Sequence, residues 1–179
     1  TGSGKTTALH AALAHLNTPD MKIWTVEDPV EIVQPGLRQV QVNHRINLGF
    51  PEILRAFLRS DPDVIMVGEM RDRVTAAIGI EASLTGHLVL STLQSNSAPE
   101  TITRLLGMDI DTISFADALR GVLAQRLVRK LCESCRAPTT PTPEEWNELS
   151  DEYGIDAFSA MLEAREYPPV FYKADGCRQ

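Results

Sequence analysis

Thr1-Gly2-Ser3-Gly4-Lys5-Thr6-Thr7 opens the chain, and its reading decides the fold. Gly4-Lys5-Thr6 supplies the last three elements of the phosphate-loop pattern G-x-x-x-x-G-K-S/T. The first glycine of that pattern would fall two residues before Thr1, so the chain is expected to begin inside its own motif, without the strand that should precede it. Glycines let the backbone turn so that successive N–H groups face inward as an anion nest. The helix that follows adds its positive end to the same place. On this reading Gly2, Ser3, Gly4 and Thr7 cradle phosphate, Lys5 reaches the β- and γ-phosphates of a nucleotide, and the Thr6 hydroxyl ligates magnesium. A glycine- and serine-rich start can also be an expression remnant. The run Ala8-Leu9-His10-Ala11-Ala12-Leu13, a good helix opening, favours the loop.

A chain of 179 residues can bury a core as one domain with an appendage or as two small ones. Hydrophobic residues make up 43% and charged residues 23%, as in ordinary globular proteins, and no apolar run approaches a membrane span. The net charge of −7 sits in one place: from Pro143 to Glu166 there are eight acids and one base, and the remainder is neutral. A nucleic-acid motor would carry a basic stripe, so no nucleic-acid partner is expected. Three cysteines, two of them close together, point to metal binding in a reducing compartment rather than to a disulfide framework.

Lys22 to Val26 reads as a short buried strand ending in the acid cluster Glu27-Asp28-Pro29-Val30-Glu31. Acids where a strand leaves an open α/β sheet stand where such sheets hold ligands; the alternative is a solvated turn. Leu37 to Val42 alternates as a half-exposed strand, and Pro51 starts a helix with Ile53, Leu54, Phe57 and Leu58 on one face. Asp63-Val64-Ile65-Met66-Val67-Gly68-Glu69 reads as a strand buried on both faces with a carboxylate, Glu69, at its end. Asp72 caps a helix through Leu84, with Ala76, Ile80 and Leu84 inward. His87 to Thr92 is expected as another buried strand. Ser97 to Glu100 is expected as a capping box opening a helix that buries Ile102, Leu105 and Leu106, and a further helix spans about Ser114 to Leu123. Strands and helices alternating through about residue 125 give an α/β fold, with a mostly parallel sheet and helices on both faces.

With these motifs in order, the chain resembles the ATPases that power type II secretion and type IV pilus assembly, RecA-like P-loop enzymes that work as hexamers. The resemblance runs from Thr1 to Cys177. Thr1 to Thr7 matches the Walker A tail, and Thr25 to Glu31 matches the aspartate box. Asp63 to Arg71 matches a Walker B with Gly68-Glu69 in place of Asp-Glu, and Thr85 to Leu93 matches the histidine box. The resemblance implies that Glu27 polarises the attacking water and that Glu69 supports magnesium through water. It also implies that His87 and Gln94 sense the γ-phosphate. The histidine box departs from the family at Gln94, where a histidine is usual; glutamine still donates a hydrogen bond but carries no proton or charge. Slow turnover is one consequence to expect, and a poorly hydrolysing, nucleotide-regulated structural subunit of the same ring is the alternative function.

The resemblance further implies a structural zinc. Cys132-Glu133-Ser134-Cys135 stands where assembly-type members begin a four-cysteine knuckle, and Cys177 matches the second pair, with its last cysteine expected just beyond. Unconnected thiols are the alternative. The expected organisation is an ATPase core over residues 1–131 and a cysteine-motif segment over 132–179. The implied partners are a homo-hexamer and the inner-membrane platform and cytoplasmic components of a secretion or pilus machine. That sets the protein in the cytoplasm, peripheral to the inner membrane.

Overall fold

The computed structural model describes residues 2–164 and 170–177. They form two compact units, Thr1–Leu127 and Val128–Gln179, a division four residues ahead of the boundary expected at the cysteine motif.

The first unit is built on four parallel strands. β1 (Ile23–Glu27), β2 (Arg38–Gln41), β3 (Val64–Val67) and β4 (Leu88–Ser91) lie in the order β2-β1-β3-β4. Trp24 is in register with Arg38 on one side and Ile65 on the other. Because side chains alternate along a strand, each strand feeds two cores. Ile23, Val64 and Met66 pack under Leu13 of α1 (Lys5–Leu16), with Leu9 and Leu16 beside them. Val26, Ile65 and Val67 face the other way, onto Ile53, Leu54 and Phe57 of α2 (Phe50–Leu58) and Ile78 and Ala82 of α3 (Arg73–Leu84). Leu13, Ile23, Val26, Ile65 and Val67 have no solvent exposure, and each such side chain contributes about 1.5–3 kcal/mol relative to an exposed one. A third cluster joins Ala76 of α3 to Leu105 of α4 (Ala98–Leu106) and Phe115 of α5 (Thr112–Ala118). No helix among the described residues is long and apolar enough to cross a membrane.

Several local expectations are corrected. β4 is an edge strand with Leu88 exposed, because its place in the strand order gives it only β3 as a neighbour among the described strands. The inward face of α3 is Thr75, Ala76, Ile78, Gly79 and Ala82, while Leu84, at the last turn, is half exposed. Ile102 and Leu106 of α4 are exposed, and Thr101 is buried in their stead alongside Leu105. Ser97 does cap α4, but Glu100 reaches back to the N–H of Asn96 rather than closing a box on Ser97. α5 ends at Ala118, and Leu123 is 82% exposed, so no core receives a continued helix.

The second unit pairs β5 (Arg136–Thr139) antiparallel with β6 (Phe171–Ala174), beside α6 (Pro143–Tyr153) and α7 (Ile155–Glu163). Trp146 packs edge-on against Phe158 at 5.3 Å and Phe171 at 5.7 Å, so the apolar residues of the acidic stretch form their own cluster. Thr142 and Glu145 cap α6 reciprocally.

Candidate functional site

Parallel strands deliver their C-terminal ends to one edge of the sheet, and there the first unit opens a cavity of about 500 Å³. Its walls include Gly2 to Thr7, Glu27 at the end of β1, Gly68 and Glu69 just past β3, and Thr92 and Gln94 just past β4. The volume falls in the range of small-ligand sites.

The loop has the backbone its glycines predict. Gly2 and Gly4 have φ of 78° and 84°, conformations that side chains with a Cβ rarely adopt, and Gly4 leads directly into α1. The Gln125 side chain holds the loop by donating to the Ser3 carbonyl at 2.5 Å, and a Cβ at position 4 would lie 2.8 Å from its Nε2. Nothing in the sequence singled out Gln125, which stands 122 residues away.

Glu27 is 3% exposed, yet its carboxylate is well supplied with donors. Thr25 donates to Oε1 at 2.6 Å and Gln39 Nε2 at 3.0 Å, while His10 Nε2 lies 3.3 Å from Oε2. Alternation explains the set: Thr25 and Glu27 point to the face that carries α1, where His10 is buried. Gln39 comes from β2, directly opposite Thr25 in the register. Donors of this kind are what allow a carboxylate to stay out of water.

Gly68 has a local reason of its own. Its N–H donates to the Val26 carbonyl at 2.8 Å, and a Cβ there would lie 3.2 Å from that oxygen and 3.4 Å from the Glu27 Cα. Thr92 fixes the same peptide by donating to the Gly68 carbonyl at 2.6 Å. Glu69 follows, largely shielded and paired with Arg71 Nε at 2.6 Å. Gln94 lines the cavity, and its carbonyl accepts from Arg104.

His87 is not brought to this site. It precedes β4, at the end of that strand opposite the cavity, with Nδ1 3.0 Å from the Ala82 carbonyl and 3.2 Å from the Thr85 hydroxyl. The expectation that it senses a γ-phosphate is therefore corrected: a strand's length separates it from the loop. The structure brings Gly2 to Thr7, Glu27, Glu69 and Gln94 together and leaves His87 out.

The second unit gathers the three cysteines. Antiparallel pairing of Arg136 with Ala174 sets the turn before β5 beside the chain leaving β6, and Asp175 N–H donates to the Cys135 carbonyl at 3.1 Å. The sulfurs of Cys132, Cys135 and Cys177 lie within 4.8 Å of one another, with Cys132 and Cys177 at 3.8 Å. The Ser134 N–H, helped by Cys177, holds the Cys132 thiol down to about 7. Sharing with Cys177, together with desolvation, pushes Cys135 up to about 11. Sulfurs this close, one of them readily ionised, fit a soft cation such as zinc.

Residues 1–179 match the family described as "Type II/IV secretion system protein". The chain is 48% identical over its whole length to the type IV pilus assembly ATPase TfpB of Acinetobacter baylyi, of which it covers 29%. It is 49% identical over 99% of its length to type II secretion system protein E of Pseudomonas aeruginosa, of which it covers 33%. The chain thus spans a third or less of these relatives. Among solved structures, the pilus retraction motor PilT with bound ADP superposes with a TM-score of 0.66 at 31% identity, over 90% of this chain and 51% of that one. The Legionella pneumophila ATPase DotB superposes at 0.54 and 35% identity, over 65% and 34%. The fold, the loop and the sequence together make this chain a member of the type II/IV secretion system protein family.

Proposed function

We propose that this chain is the catalytic part of an ATPase that drives pilus assembly or type II secretion, working as a homo-hexamer on the cytoplasmic side of the inner membrane. The observation that carries the reading is the convergence of Lys5, Thr6, Glu27, Glu69 and Gln94 on one cavity. The relatives that are pilus-assembly and secretion ATPases support the choice of machine.

In this reading Gly2, Ser3, Gly4 and Thr7 line the phosphate cradle, and Lys5 neutralises charge on the β- and γ-phosphates. The hydroxyl of Thr6 and, through water, the carboxylate of Glu69 would hold magnesium, which supplies charge neutralisation to the phosphates when bound. Glu27 accepts a hydrogen bond from the attacking water and aims it. Gln94 donates to a phosphate oxygen. Such chemistry is mostly positioning and electrostatics, so removal of one charge has a large effect. In the second unit Cys132, Cys135 and Cys177 would supply three of the ligands of a structural zinc.

Phosphate release by the whole, assembled protein tests the reading. Lys5→Ala is expected to abolish ATP turnover, and normal turnover in that variant would remove the assignment. Glu69→Gln is expected to bind nucleotide and hydrolyse it at least about 100-fold more slowly. A wild-type ring that binds ATP but releases no phosphate would mark the structural-subunit alternative that Gln94 raises.

A further inference from the structure

Glu27 belongs to a closed circuit of hydrogen bonds, and one member of it, His10, has no part in the mechanism above. His10 Nε2 meets Glu27 Oε2 at 3.3 Å, and His10 Nδ1 meets the Gln34 side-chain oxygen at 3.1 Å. The Gln34 backbone N–H donates to Gln39 Oε1 at 2.8 Å, and Gln39 Nε2 returns to Glu27 Oε1 at 3.0 Å. His10 and Glu27 are 5% and 3% exposed.

Donor counting fixes what each atom does. A carboxylate oxygen has two good acceptor directions. Thr25 and Gln39 take both of those on Oε1. His10 takes one on Oε2, which leaves a single direction for a water molecule. An ionised carboxylate only accepts, so His10 Nε2 has to carry a proton. Gln34 serves either charge state of the ring: its oxygen accepts from an imidazolium, and its NH2, turned over, donates to the neutral Nδ1. The circuit therefore keeps hydrogen on Nε2 in both.

We propose that His10 is a positioning residue for Glu27: its Nε2–H pins Oε2 so that the carboxylate offers its one remaining lone pair to the attacking water. The inference rests on the ATPase reading of Glu27. His10 and Lys5 share α1, so the helix that meets phosphate at its first residue also orients the base.

The test uses the whole, assembled protein, with His10→Phe to fill the ring's place without a donor and His10→Gln to keep a donor at similar reach. For His10→Phe the expected kcat is about 10- to 100-fold below the parent with KM for ATP within about twofold. For His10→Gln kcat is expected within about threefold of the parent. A His10→Phe enzyme within about twofold of the parent kcat would overturn the proposal, as would a His10→Gln enzyme impaired as deeply as His10→Phe. If His10→Phe does not fold, ring 15N shifts of His10 in the unsubstituted protein decide: a protonated Nε2 throughout about pH 6 to 8 supports the assignment, and a bare Nε2 there overturns it. Glu27→Gln separates the two layers. A fully active Glu27→Gln ends both the ATPase reading of Glu27 and this inference; an inactive one beside a normal His10→Phe ends the inference alone.

Discussion

The Thr25 hydroxyl donates to Glu27 Oε1 at 2.6 Å from two positions earlier on the same strand. Both residues are buried on the α1 face, so the bond is dry and its loss is not made good by solvent. Thr25→Val keeps the size of the side chain and removes the donor. Turnover is expected to fall about 10-fold while nucleotide affinity stays within about twofold. Phosphate release and a fluorescent-nucleotide titration on the assembled protein measure the two.

Gly68→Ala acts on the same carboxylate from the neighbouring strand. The new methyl would sit 3.2 Å from the Val26 carbonyl and 3.4 Å from the Glu27 Cα, and backbone has little room to yield there. We expect a loss of about 1–3 kcal/mol in urea unfolding. Turnover should fall with it, because β1 and β3 can separate only by moving Glu27.

The cap of α5 gives a pH effect of known sign. The Ser114 N–H holds the Asp111 carboxyl below its ordinary value of 3.8. The folded state thus favours the charged form, and this contribution is present above the ordinary value and is lost as pH falls through the lowered one. Amide protection factors in α5 are expected to drop in that acid window in the parent and to be flat there in Asp111→Asn. Equal acid sensitivity in both would refute the assignment.

Metal content checks the cysteine cluster. Elemental analysis of the reduced protein is expected to give about one zinc per chain, lost in Cys135→Ser. Chelation should speed amide exchange in β5 and β6, since their pairing joins the two arms that carry the sulfurs.

What could be read in advance was whatever is local or repeats along the chain. The loop is contiguous, Val64 to Val67 is an unbroken apolar run, Glu27 ends a strand and Glu69 comes just after one. Parallel strands send such ends to one edge whatever their order, so the two acids could be placed together without knowing the order. The order itself is not written in any one strand, which is why β4 was expected to be buried and lies at the edge. His10, Gln34 and Gln39 were invisible for the same reason: His10 and Gln39 meet Glu27, and Gln34 meets those two, only through the packing of α1 on β1 and the register of β1 with β2. The helix expected through Leu123 stops at Ala118, beyond which Leu123 and Leu127 face solvent, and a segment without a surface to cover has little to hold it helical.

The tethered carboxylate of Glu27 bears on how a ring of such subunits would keep time. Its orientation is set by donors that the chain itself supplies. On the proposed function, nothing in this acid would have to be rebuilt at each stroke. What a neighbouring subunit can regulate is then the arrival of the phosphate and its water, so the clock of the motor would lie in closure over the loop rather than in readiness of the acid.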